Sequence, residues 1–147
     1  MDEVPHTNDD AKWKRRLLAY TGVRAIGLAI FFLGVATGKS DRGLKHCLDL
    51  HGIHARFVSL QTADRHPSKP HPSMALLAIE EAGASPETTF VVGDTSFDMA
   101  MAAAAGALPV GAGWGYHDAE DLLRAGAAGV ADAPGDVLAL IAEHVHG

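Results

Sequence analysis

The chain has a single cysteine, Cys47, in 147 residues. One thiol excludes an intramolecular disulfide and any cysteine-based zinc site. It stands in LKHCLDL, a helical pattern, so a buried or half-buried structural thiol is expected there. Basic residues are also scarce, and twelve Lys and Arg against eighteen Asp and Glu give a formal net charge of −6. That balance removes the electrostatic footprint needed for non-specific nucleic-acid binding. The one basic run, KWKRR from Lys12 to Arg16, reads as the solvated face of a helix. Long hydrophobic runs are lacking too. The most apolar stretch, AIGLAIFFLGVA, has twelve residues, well short of the roughly 20 a membrane-spanning helix needs. Acidic residues precede it and no small-residue cleavage pattern follows, so no signal peptide is expected and a cytoplasmic location is the default.

What is present is a core. Hydrophobic residues make up 48% of the chain and charged residues 20%, a profile of one globular α/β domain. Asp9 or Asp10 can cap a polar helix reaching about Tyr20, and residues 22–30 are ambiguous between helix and strand. From Phe31 onward, apolar strands alternate with helices. FFLGVAT reads as a strand, followed by a helix with Ser40 as N-cap and Gly52 as terminator. ARFVSLQT is a second strand, and the three prolines of HPSKPHP make a rigid loop that opens the helix SMALLAIEEAG. FVVGD, ALPVGAG and GVAD supply three more strands, each followed by a helix. Strands with little period-2 alternation, separated by helices, predict a parallel sheet covered on both faces. In such sheets ligands bind beyond the carboxyl ends of the strands.

Three motifs stand at those ends. In VVGDTSFD, Asp94 follows a hydrophobic strand and Asp98 falls four residues later, in the first turn of the next helix. Two hard carboxylates in one crevice suit Mg²⁺, which takes one or two carboxylates and fills its remaining positions with water and phosphate. A structural reading stays open beside it, with Asp94 as an N-cap and Asp98 as an acid favoured by the helix dipole. In GVATGKS, the Thr37 hydroxyl, the Gly38 amide and their neighbours can bind a phosphate oxygen where the Ser40 helix begins. A P-loop is excluded, because Leu33 stands where its first glycine is required. In SKPHP, Lys69 sits in the proline-braced loop, where it can neutralise phosphate and carboxylate charge or can simply be a solvated lysine. His66 and His71 flank it without the companions a metal site needs.

Together GVATGKSDRGL, SKPHPSMALLAIEEAG, FVVGDTSFDMAMAAAAGA and GWGYHDAEDLLRAGAAGVADAP resemble the haloacid dehalogenase-like phosphatases, in particular their phosphoglycolate phosphatase-like branch. The resemblance runs from about Gly34 to the end. It implies a Rossmann-like parallel sheet with helices on both faces, a Mg²⁺ cofactor and a small phosphorylated metabolite as substrate. By the same resemblance Thr37 and Gly38 bind phosphate with Lys69, Asp94 ligates Mg²⁺, and Asp98 either holds a metal-bound water or orients Lys69.

The family's nucleophile, an aspartate in a D-x-D-G-T segment on the first strand, has no counterpart upstream of Thr37. DLHGI, Asp49 to Ile53, has the wrong chain order and reads as structural. The expected organisation is therefore a helical N-terminal remnant over residues 1–20 and an incomplete core over 21–147, the N-terminal part truncated or rearranged. By resemblance the missing strand lies between the strands ending in Thr37 and Asp94. Its loss leaves two apolar edges that must be filled or must associate, which makes a homodimer through the sheet edges possible. Two functions follow: a phosphomonoester hydrolase impaired by the lost aspartate, or an inactive relic with a residual Mg²⁺ and phosphate site or a dimerisation role.

Overall fold

A computed structural model describes residues 31–146, and the expectations for residues 1–30 lie outside it. Five strands alternate with five helices. They are β1 (Gly34–Thr37), α1 (Asp41–Leu50), β2 (Ser59–Thr62), α2 (Ser73–Glu81), β3 (Phe90–Gly93), α3 (Ser96–Ala104), β4 (Leu108–Ala112), α4 (Ala119–Arg124), β5 (Gly129–Ala131) and α5 (Val137–His146). The strand predicted from Phe31 begins at Gly34, and the one predicted from Ala55 begins at Ser59, after a short 3₁₀ turn over His54–Arg56. The punctuation acts as read. The Ser40 hydroxyl accepts from the Gly43 amide at 3.1 Å. Gly52 and Gly83 end α1 and α2 with φ of 62° and 63°, a conformation costly for any residue with a Cβ.

All pairing among the described strands is parallel, but it forms two sheets. β1 pairs with β2, and β3, β4 and β5 form a second sheet in that order. The break falls between the strands ending in Thr37 and Asp94, where the resemblance implied a missing strand. Among the described residues, what joins the halves is side-chain packing: Met74, Ala75 and Ile79 of α2 meet Met101 of α3 and Ala105 just past its end in one cluster, against Ala36 of β1 and Val91 of β3. The opposite face of β3 presents Phe90 and Val92 to Val137, Leu140 and Ile141 of α5. Successive residues of β3 thus point to opposite layers, which is why FVV is apolar throughout. Between β1 and β3 lies a cavity of about 430 Å³, lined by Gly34, Ala36, Val91 and Ile79 among others, with Lys69 and Asp98 in its wall.

Among the described residues no helix is long and apolar enough to cross a membrane. Cys47 is half-buried on α1, as its helical setting implied.

Candidate active site

The site forms where the loop after β2 reaches the turn after β3. Lys69 Nζ donates to Asp98 Oδ1 at 2.6 Å. The pair spans 29 residues of sequence and shows that the carboxyl ends of the two sheets face the same side. Both partners are largely withdrawn from water, with side-chain exposures of 21% and 9%, so the attraction is screened less than in a surface pair.

Asp98 is held from its other oxygen as well. Its Oδ2 accepts from the Thr95 amide at 3.0 Å and from the Thr95 hydroxyl at 2.8 Å. The Thr95 side chain in turn accepts from the Asp98 amide at 3.3 Å, which completes a capping box on α3. The N-cap is therefore Thr95, and the structural alternative that gave this role to Asp94 is corrected. Both carboxylate oxygens of Asp98 are thus engaged, one by Lys69 and one by Thr95.

Asp94 is set by a different loop. Its Oδ2 accepts from the Tyr116 amide at 3.1 Å, and its carbonyl accepts from the His117 amide at 3.0 Å. The His117 ring closes the arrangement, with Nδ1 accepting from the Ser96 amide at 3.0 Å. Two glycines make the fit possible. A Cβ on Gly93 would lie 2.2 Å from the Asp98 Cβ, and one on Gly115 would lie 2.0 Å from the Asp94 Cβ.

Thr37 ends β1 opposite Thr62 of β2, and its Oγ1 accepts from the Lys39 amide at 3.2 Å. Gly38 follows on the exposed surface, and nothing lies within 4 Å of the Cβ it lacks. No packing demand explains the glycine there. The structure thus joins Lys69 to Asp98 directly, sets Asp94 one turn away, and leaves Thr37 and Gly38 on their own loop at the same end of the molecule. Nearby, the Thr62 hydroxyl holds the Asp41 carboxyl below its usual range, assisted by the Arg65 guanidinium and opposed by partial desolvation.

Sequence reasoning gave no role to Thr95, Gly115 or the amides of Tyr116 and His117. The strand-end segment Gly113 to His117 was the available signal, since it follows a buried strand and combines two glycines with aromatic residues.

As for a metal, no group of three His, Cys, Asp or Glu that could hold one stands together among the described residues. His66 lies against Ser73 and Gln61, and His71 Nδ1 accepts from the Ser73 amide. The carboxylates at the strand ends are hard oxygen donors. They fit Mg²⁺ held by one carboxylate with water and phosphate completing the shell, and do not fit a protein-only cage.

Residues 7–106 match the family model for haloacid dehalogenase-like hydrolase. The chain is 40% identical over 115 residues to the "Probable phosphatase IndB" of Dickeya dadantii (strain 3937), covering 74% of this chain and 49% of that protein. It is 30% identical over 112 residues to a phosphoglycolate phosphatase of Vibrio cholerae, covering 76% and 50%. Among solved structures, a putative β-phosphoglucomutase from Thermotoga maritima superposes with a TM-score of 0.69 at 26% identity, over 77% of this chain and 53% of that one. A putative phosphoglycolate phosphatase from Lactobacillus plantarum superposes with a TM-score of 0.66 at 26% identity, over 75% and 53%. The chain spans about half the length of the curated relatives it matches.

Proposed function

Because the chain belongs to the haloacid dehalogenase-like hydrolase family, we propose that its strand-end crevice is a phosphate site of the phosphomonoester hydrolase type. It takes a small phosphorylated metabolite, of the kind handled by phosphoglycolate phosphatases, together with Mg²⁺. The observation that carries this reading is the Lys69–Asp98 pair standing beside Asp94 at the carboxyl ends of the strands.

Each residue then has a task. Lys69, oriented by Asp98, places a positive charge where the phosphoryl oxygens gather. Thr37 and the Gly38 amide bind a further oxygen. Asp94 holds Mg²⁺, with Asp98 beyond it. The bound ion supplies charge stabilisation on the phosphoryl group. No D-x-D-G segment precedes Thr37, so no aspartate is supplied to accept the phosphoryl group. Binding is therefore expected to outlast turnover. The same reading places the protein in the cytoplasm.

A second reading gives the chain a dimerisation role through the β1 and β3 edges. The split between the two sheets and the cavity beside it favour that reading.

Calorimetric titration of inorganic phosphate into the protein, with and without Mg²⁺, tests the first reading. Binding that requires Mg²⁺ and disappears in Asp94→Asn is expected, with little or no hydrolysis of p-nitrophenyl phosphate or 2-phosphoglycolate. Phosphate binding unchanged in Asp94→Asn would defeat the assignment. Sedimentation velocity separates the second reading, which requires a concentration-dependent dimer.

A further inference from the structure

Beneath the loop that carries Lys69 lies a chain of polar contacts that the proposed chemistry does not use. Gln61, on β2, is wholly buried. Its Nε2 donates to Ser59 Oγ and to Glu81 Oε2, both at 2.8 Å. With its amide hydrogens engaged, Gln61 turns Oε1 toward His66 Nε2, also at 2.8 Å. A carboxamide oxygen only accepts, so His66 Nε2 carries the proton. In the neutral ring Nδ1 is then an acceptor, and it faces the Ser73 hydroxyl at 2.7 Å.

The consequence is positional. Gln61 belongs to β2, where the loop departs, and Ser73 is the first residue of α2, where the loop returns. One imidazole therefore ties both ends of the segment 63–72 together. Lys69 stands between those anchors, three residues after His66. A lysine side chain is long and flexible, and its 2.6 Å contact with Asp98 requires a fixed backbone beneath it. Both ring nitrogens are committed to protein partners, which also removes His66 as a metal ligand. A residue needed only to fill space would not need two directed hydrogen bonds to a buried amide and a helix terminus.

We infer that His66 is a positioning residue that holds the Lys69 ammonium against Asp98, by bridging the Gln61 carboxamide and the Ser73 hydroxyl at 2.8 Å and 2.7 Å. This inference rests on the phosphate role of Lys69 for its functional meaning, and on the loop geometry alone for its structural content.

The test uses the full chain with His66→Ala, His66→Gln and Lys69→Met. The first readout is the rate at which Lys69 is acetylated relative to the exposed Lys45, followed by mass spectrometry on protein shown to be folded by circular dichroism. His66→Ala is expected to raise that ratio severalfold. His66→Gln keeps one donor and one acceptor, and is expected to restore it. The second readout is inorganic phosphate affinity with Mg²⁺, expected to weaken about tenfold in His66→Ala, as for a lost charge-assisted contact. An unchanged acetylation ratio in His66→Ala would overturn the inference, and so would an equal rise in both His66 variants. If His66→Ala does not fold, Ser73→Ala removes one anchor only, and an unchanged ratio there is equally fatal. A raised ratio with phosphate affinity intact in Lys69→Met would instead defeat the phosphate role and leave the positioning role standing.

Discussion

Gly93 and Gly115 do the same work from opposite sides of the site. Each lets the backbone of one loop lie against the Cβ of an acid carried by another segment, at a separation no Cβ tolerates. Gly115→Ala is therefore expected to push Asp94 away from the Tyr116 amide and to abolish Mg²⁺-dependent phosphate binding while the helices persist. Gly38→Ala, with open space around its missing Cβ, should leave stability unchanged and weaken phosphate binding only if the ligand approaches that backbone. Paired calorimetry and thermal melts on the two variants check this. Equal effects of the two would show that the close packing at Gly115 does not set the site.

The strand-to-helix turns are secured by directed polar contacts, and α1 shows how one is held. Ser40 caps it, the Asp41 amide donates to Asp64 Oδ2 at 2.8 Å, and Asp41 Oδ1 accepts from the Thr62 hydroxyl at 2.6 Å. The Thr62 bond, with Arg65, holds the Asp41 carboxyl below its usual range in the folded protein. A carboxyl depressed on folding contributes stability above its unfolded pKa, and the contribution is lost as pH falls through the folded value. Asp41→Asn should therefore lower the Tm at neutral pH, with the difference closing below about pH 4. Melting curves across that range check the sign. A gap that widens on acidification would contradict it. The effect should be modest, because the group is exposed and solvent screens it.

Among the described residues the two sheets are joined by packing in place of a backbone ladder. α2 and α3 bring Met74 and Met101, both wholly buried, to the seam against Ala36 of β1 and Val91 of β3. Met101→Ala is expected to cost about 2–5 kcal/mol, the usual range for emptying a buried methionine site. It should also loosen the Lys69–Asp98 contact, which crosses the same seam. Urea unfolding together with Lys69 acetylation measures both. A loss below about 1 kcal/mol, outside that range, would mean that the cluster is not what couples the halves.

The order of strands and helices was legible in the sequence because it depends on neighbours within a few residues. Apolar runs, the Ser40 cap, the terminator Gly52 and the proline loop are all local signals. For the same reason, the strand-end positions of Thr37, Lys69, Asp94 and Asp98 could be named in advance. Strand starts shifted inward at Phe31, where an apolar run continues past the residues that pair, and at Ala55, where a 3₁₀ turn over His54–Arg56 takes up the first residues. Which partners meet was a different matter. Lys69 finds Asp98 across 29 residues and Asp94 finds the Tyr116 amide across 22. That Thr95 occupies the other oxygen of Asp98 was not legible either. The resemblance implied two open edges between the strands ending in Thr37 and Asp94, but the pairing of β1 with β2 and of β3 with β4 and β5 depends on which edges meet, and no run of consecutive residues encodes that choice. Local propensity and punctuation determined the elements. The close packing around two glycines and one half-buried lysine decided the site.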